Sequence, residues 1–243
     1  MTSEYTEETY GQRVAEVYDD WYGGFDESTI DLLFELARGG RVLELGIGTG
    51  RIALPLAQRG VQVSGIDASP KMVEKMRKKP GGEHIPVTIG NFSEVAVEGH
   101  FSLIYIVFNT FFALLTQEEQ VGCFRNATQH LDEKGVFLIE AFVPDLKRFE
   151  ARQAIRAIQV GERQVRIDVT EVNPATQQLV SQHMVLSEEG VQLYPVRLRF
   201  AYPPELDLMA RLSGLRLVHR WGSWSREPYN GDSTKHISVY GKA

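Results

Sequence analysis

The stretch "VLELGIGTG" at 42–50 sets Glu44 two positions ahead of Gly46, and Gly46, Gly48 and Gly50 recur at alternate positions. An apolar strand running into such a turn lets backbone approach a ligand closely, because glycine carries no Cβ and tolerates left-handed backbone. The dinucleotide fingerprint G-x-G-x-x-G has a different spacing and aims a helix N-terminus at a pyrophosphate. A carboxylate at Glu44 repels a diphosphate and suits a cationic amino group, which argues against NAD. Asp67 closes the next apolar segment, "VQVSGID", 17 residues after Gly50. There its two oxygens can accept both hydroxyls of a ribose. A ribose joined to an amino acid describes S-adenosylmethionine.

These residues need a scaffold. Strand and helix patterns alternate over the first 145 residues, as in a parallel sheet covered by helices on both faces. Short β-branched runs read as strands at 41–46, 61–67, 87–91, 101–108 and 135–142. Helical spacing occupies 51–60, 69–79 and 116–131, with Ser69 and Thr116 as N-caps and Pro70 at a first helical position. From about residue 155 the pattern becomes one of long alternating segments at 163–172, 176–187 and 191–202, joined by "NPA" and "EEG" turns. Such a pattern predicts an antiparallel meander. A helix at 204–214 and strands at 215–225 and 236–242 return the chain to the sheet. The expected organisation is a core of 1–154 and 203–243, with 155–202 inserted as an acceptor lid or a dimer contact.

Composition narrows the partners. A chain of 243 residues, 43% hydrophobic and 24% charged, suits one globular domain with an insertion. Net charge is −6 and the basic residues are dispersed, so nucleic acid is not expected as a partner. The start "MTSEYTEETYGQR" has no apolar core and no run of about 18 apolar residues occurs, so a cytoplasmic protein without a membrane partner is expected. The single cysteine, Cys123, reads as packing. His84, His183, His219 and His236 lie in scattered contexts without metal-ligand spacing and read as surface or packing residues, while His130 suits a helix C-terminus.

"VLELGIGTG", "GIDASPKM", "GNF" and "IYIVFNTFFALL" occur in an order and spacing that resemble class I S-adenosylmethionine-dependent methyltransferases. The resemblance covers nearly the whole chain. It implies an α/β, Rossmann-like seven-stranded sheet of order 3-2-1-4-5-7-6, its last strand antiparallel, with the meander inserted after strand 5. It also implies roles residue by residue. Gly46 and Gly48 would approach the methionine portion of the cofactor, with Glu44 facing its ammonium, and Gly50 would pack the following helix. Asp67 would hold the ribose and Ala68 and Met72 would flank the adenine. Asn91 and the Phe92 N–H would read the adenine edge, and the strand ending at Val107 to Asn109 would lie beneath the sulfonium.

Methyl transfer mainly needs the nucleophile held about 3 Å from the methyl carbon with water excluded. A nearby carboxylate, histidine or phenol helps the acceptor lose its proton. Tyr22, in "VYDDWY", Asn109 and Glu140 are the catalytic candidates. "VYDDWY" resembles the N-terminal helix of bacterial amino-sugar N,N-dimethyltransferases and related antibiotic-tailoring enzymes. The Asn-Pro-Pro-Tyr signature of nucleobase and glutamine methylases is absent, and "NTFFALLT" offers no carboxylates for the magnesium of catechol methyltransferases. The expected activity is transfer of a methyl group to a small molecule, an amine of a secondary metabolite or amino sugar, by a homodimer without a bound metal. Two alternatives stay open: a small-molecule O-methyltransferase, or a protein of this fold that binds the cofactor and catalyses another reaction.

Overall fold

A computed structural model describes residues 5–94 and 97–243; residues 1–4 and 95–96 of the expected core lie outside them. Three helices, α1 (Glu7–Val14), α2 (Tyr18–Tyr22) and α3 (Glu27–Ala37), precede the sheet. The chain then alternates through β1 (Val42–Leu45), α4 (Ala53–Gln58), β2 (Val63–Asp67), α5 (Pro70–Arg77), β3 (Val87–Ile89), β4 (Phe101–Ile106), α6 (Gln117–His130) and β5 (Leu131–Phe142). A separate antiparallel sheet follows as β6 (Gln153–Val160), β7 (Gln164–Asn173), β8 (Gln178–Ser187) and β9 (Gly190–Arg199). Helix α7 (Pro203–Leu212), β10 (Leu215–Trp221) and β11 (Lys235–Lys242) complete the first sheet.

That sheet has seven strands in the order β3-β2-β1-β4-β5-β11-β10. β1 to β5 pair in parallel and β11 runs antiparallel to both neighbours, as the resemblance implied. The strands are apolar on both sides because each face carries its own core. Leu43, Leu45, Ile104, Ile106 and Phe137 meet α6 and α7 through Phe124, Leu206 and Met209. Val42, Val63, Leu103 and Leu138 meet α3, α4 and α5 through Leu33, Leu56 and Met76. Phe124 stacks edge-on against Phe111, Phe137 and Tyr240, and Cys123 beside it is fully buried. Burial alone pushes its thiol far above the ordinary range, so it behaves as a small apolar side chain.

Both expected caps form. The Ser69 hydroxyl accepts from Met72 N–H at 3.4 Å with Pro70 following, and Thr116 and Glu119 form a reciprocal capping box. Several strand expectations differ from the structure: β5 begins at Leu131, before the expected 135, and β10 ends at Trp221, short of 225. The strand predicted to reach Phe108 stops at Ile106, because Phe108 and Asn109 turn left-handed with φ of 59° and 64°. The meander holds a further strand, β6, where "RQAIRAIQV" lacks the clean alternation of its neighbours and leaves Ile155 76% exposed. Among the described residues, no helix is long and apolar enough to cross a membrane.

Candidate active site

β1 is the point where the strand order reverses, and in open α/β sheets a ligand crevice opens at the carboxyl ends of the strands there. A cavity of about 370 Å³ lies at that place. The ends of β1, β2, β4 and β5 form its floor, α1 and α2 cover it, and β7 to β9 form its far wall.

On the floor, Gly46 has φ of +75°, and a Cβ there would sit 2.4 Å from Thr110 Cγ2. Gly48 has φ of +56°, and its N–H donates to Asp67 Oδ2 at 2.7 Å. Asp67 Oδ1 accepts from Ser69 N–H at 2.8 Å. Each oxygen keeps a lone pair for a further donor, which is what a vicinal ribose diol requires. Burial raises the Asp67 carboxyl above its ordinary value, against the two N–H groups that favour its anion. Ala68, Met72, Asn91 and Phe92 continue the same wall. Asn91 Oδ1 accepts from both the N–H and the hydroxyl of Ser93 at 2.9 Å, which fixes the "GNF" turn. The cradle therefore fits S-adenosylmethionine: a backbone turn with no side chains in the way, a carboxylate for hydroxyls, and an apolar slot for a base.

Glu44 is placed otherwise than expected. It is 3% exposed and does not line the cavity among the described residues. Its Oε2 accepts from the Tyr105 hydroxyl at 2.8 Å, and it also takes a backbone N–H from Ala53 at the start of α4. Burial pushes its carboxyl up to about 8, with Tyr105 and Arg51 opposing. Val107, 6% exposed, likewise packs in the core and not on the cavity wall.

The helical cover is tied to the glycine turn through Asp19, which accepts from the Thr49 hydroxyl at 2.6 Å and pairs with Lys79 at 2.8 Å. These bonds bring Tyr18 and Tyr22 over the Phe108 ring, with centroids 6.4 and 5.0 Å away. Burial pushes the Tyr18 phenol up to about 12 and raises that of Tyr22, where Arg166 opposes it, so both stay protonated at neutral pH. The Tyr10 hydroxyl donates a hydrogen bond to the Tyr22 hydroxyl. Tyr22 and Asn109 thus share the cavity. Glu140 does not line it among the described residues: Oε2 accepts the Phe108 N–H at 2.6 Å and Oε1 stands 3.8 Å from Lys235.

The far wall carries groups that the sequence had not singled out. Asp168 of β7 and His183 of β8 are register partners, and His183 Nδ1 lies 2.5 Å from Asp168 Oδ1. Thr170 and Ser181 pair alongside at 2.9 Å. All four line the cavity. Alternation within each strand marks the face, but the facing of Asp168 and His183 depends on how the "NPATQQ" turn sets the hairpin register.

A family model described as a methyltransferase domain matches residues 42–135. The CcbJ methyltransferase of Streptomyces caelestis is 38% identical with a TM-score of 0.92, and the alignment covers 98% of this chain and 100% of that one. The cypemycin N-terminal methyltransferase of a Streptomyces species is 28% identical over 203 residues, 83% of this chain and 82% of the relative. CalS10, an amino pentose methyltransferase from Micromonospora echinaspora, is 18% identical with full coverage of both chains and a TM-score of 0.70, a likeness of fold. Cradle, topology and relatives converge: the chain belongs to the S-adenosylmethionine-dependent methyltransferases and uses that cofactor.

Proposed function

We propose that the protein methylates an amine nitrogen of a small secondary metabolite or amino sugar. One observation carries this reading: a single cavity joins the Asp67 cradle to a chamber of tyrosine rings and hydrogen-bonding side chains. Aromatic faces attract cations, which favours a protonated or methylated amine beside Tyr18, Tyr22 and Phe108. The relatives named as an N-terminal methyltransferase and as an amino pentose methyltransferase support the same class of acceptor.

S-adenosylmethionine supplies a methyl group already activated by its sulfonium. The chain's own task is positioning and exclusion of water. Asp67 and the glycine turn fix the donor's ribose and amino-acid ends. Tyr22 orients the acceptor with its ring, and Asn109 shapes the floor while Glu140 secures the turn beneath it. The outer face of the second sheet exposes Val191 and Leu193 at 60% and 49%, a surface suited to a homodimer that light scattering can test. Incubation with S-adenosylmethionine and matched panels of amines and alcohols tests the acceptor class. S-adenosylhomocysteine and an N-methyl product are expected; transfer to the alcohols alone would establish the O-methyl alternative.

A further inference from the structure

We propose that His183 is the base that takes the acceptor's proton, with Asp168 as the residue that positions it. The inference rests on the reading of this cavity as the methyl-transfer site, and it names the group that prepares the nucleophile there.

The geometry is that of an oriented imidazole. An ionised carboxylate only accepts hydrogen bonds, so at 2.5 Å from Asp168 Oδ1 the Nδ1 atom is the donor and carries the hydrogen. The lone pair of the neutral ring is then on Nε2, the atom left for the acceptor. Trp21 meets the ring edge-on with centroids 6.2 Å apart, which restricts rotation from the helical cover. The pair is mostly buried, with side chains 17% and 24% exposed, yet both residues line the cavity.

The groups packed around His183 are few. Arg166 lies two residues before Asp168 with its guanidinium over the Trp21 ring at 4.7 Å, and Tyr22 follows on α2. Tyr194 is the β9 register partner of His183, and Arg148 and Arg197 line the same cavity. Asp168 is the carboxylate among them and offsets the charge that an imidazolium would bring. Cross-strand His–Asp pairs also serve simply to join strands. This one faces the ligand space, and its neighbours Thr170 and Ser181 already bond to each other.

In the step itself, an ammonium acceptor gives one N–H proton to Nε2, and the freed electron pair remains on nitrogen. That pair forms the new N–CH3 bond while the C–S pair returns to sulfur, leaving S-adenosylhomocysteine and a methylated ammonium. The imidazolium then releases its proton to solvent.

His183→Ala and Asp168→Asn test this in the full-length protein with the amine that the wild type turns over best. His183→Ala is expected to lower kcat at pH 7 by about 100-fold or more. Its affinity for S-adenosylhomocysteine, read by calorimetry, should stay within about twofold of wild type, which also reports an intact fold. Its rate should climb with pH as the free amine forms in solution, and added imidazole should restore part of it. Asp168→Asn should lose rate and shift the acid limb of the pH profile, with cofactor affinity kept. Wild-type kcat and an unchanged pH profile in His183→Ala would overturn the base and leave the methyltransferase reading standing. Failure of the wild type to methylate any amine would overturn both.

Discussion

The Glu140 carboxylate accepts the backbone N–H of Phe108 at 2.6 Å. Phe108 is the first of two non-glycine residues with left-handed backbone at the end of β4. The return contact runs from Phe142 N–H to Asn109 Oδ1 at 2.7 Å, so the ends of β4 and β5 hold each other's backbone. Left-handed backbone is costly for phenylalanine, and this clamp offsets the cost. Removal of the acceptor in Glu140→Ala strands a partly buried N–H, worth roughly 1–3 kcal/mol. Denaturant unfolding should register that loss, whereas Glu140→Gln, which retains a carbonyl acceptor, should keep most stability and most activity. A Gln variant of normal stability and no turnover would instead give the carboxylate a chemical role.

Asp67 should dominate ribose recognition. Asp67→Ala removes a charge-assisted acceptor worth roughly 1.5–3 kcal/mol, or about 10- to 150-fold in affinity for S-adenosylhomocysteine. Calorimetry reads this directly. Unchanged affinity would show that Asp67 serves only to hold the Gly48 and Ser69 N–H groups.

Glu44 gives the protein a pH-dependent stability term with a definite sign. Its folded carboxyl stands at about 8 against an ordinary 4.5, so the folded state binds more protons than the unfolded state between those values. The stabilisation is full below pH 4.5 and is lost as pH rises towards 8. Glu44→Gln keeps an acceptor for Tyr105 and cannot ionise. Relative to wild type it should gain stability steadily across that window. Parallel stability curves for the two proteins would place the charge of Glu44 elsewhere.

In the proposed reaction Tyr22 contributes its ring. Burial raises its phenol, with the nearby Asp168 carboxylate adding to the shift while Arg166 and the hydrogen bond from Tyr10 oppose it, so deprotonation at neutral pH is disfavoured. Tyr22→Phe should therefore cost less than about tenfold in kcat, short of the 10²- to 10⁴-fold of a general base. A loss of about 100-fold or more would return the proton to the phenol.

The glycine turn and Asp67, which form the floor of the candidate site, were readable in the sequence because they are local. The glycine turn, Asp67 and the Ser69 cap lie within 28 residues of Val42, and each depends on strand-end chemistry alone. The sheet order came with the motifs' resemblance and not from periodicity. Glu44 and Glu140 were harder, because identity and strand position do not reveal which polar neighbour claims a side chain. Tyr105 and Ala53 claim the first and the Phe108 N–H the second. The turn behind Glu140 is built from Phe108 and Asn109, without the glycine that would have marked it. His183 passed as an ordinary histidine because its partner is 15 residues away across a hairpin whose register the sequence leaves open.

The most direct test of the account follows a 13C-labelled methyl group from S-adenosylmethionine through a reaction with small amines and matched alcohols. NMR of the products should show the label in N–CH3 groups, with one S-adenosylhomocysteine formed for each transfer. Label found only in O–CH3 groups, or no transfer to any acceptor, would contradict the proposed amine methylation.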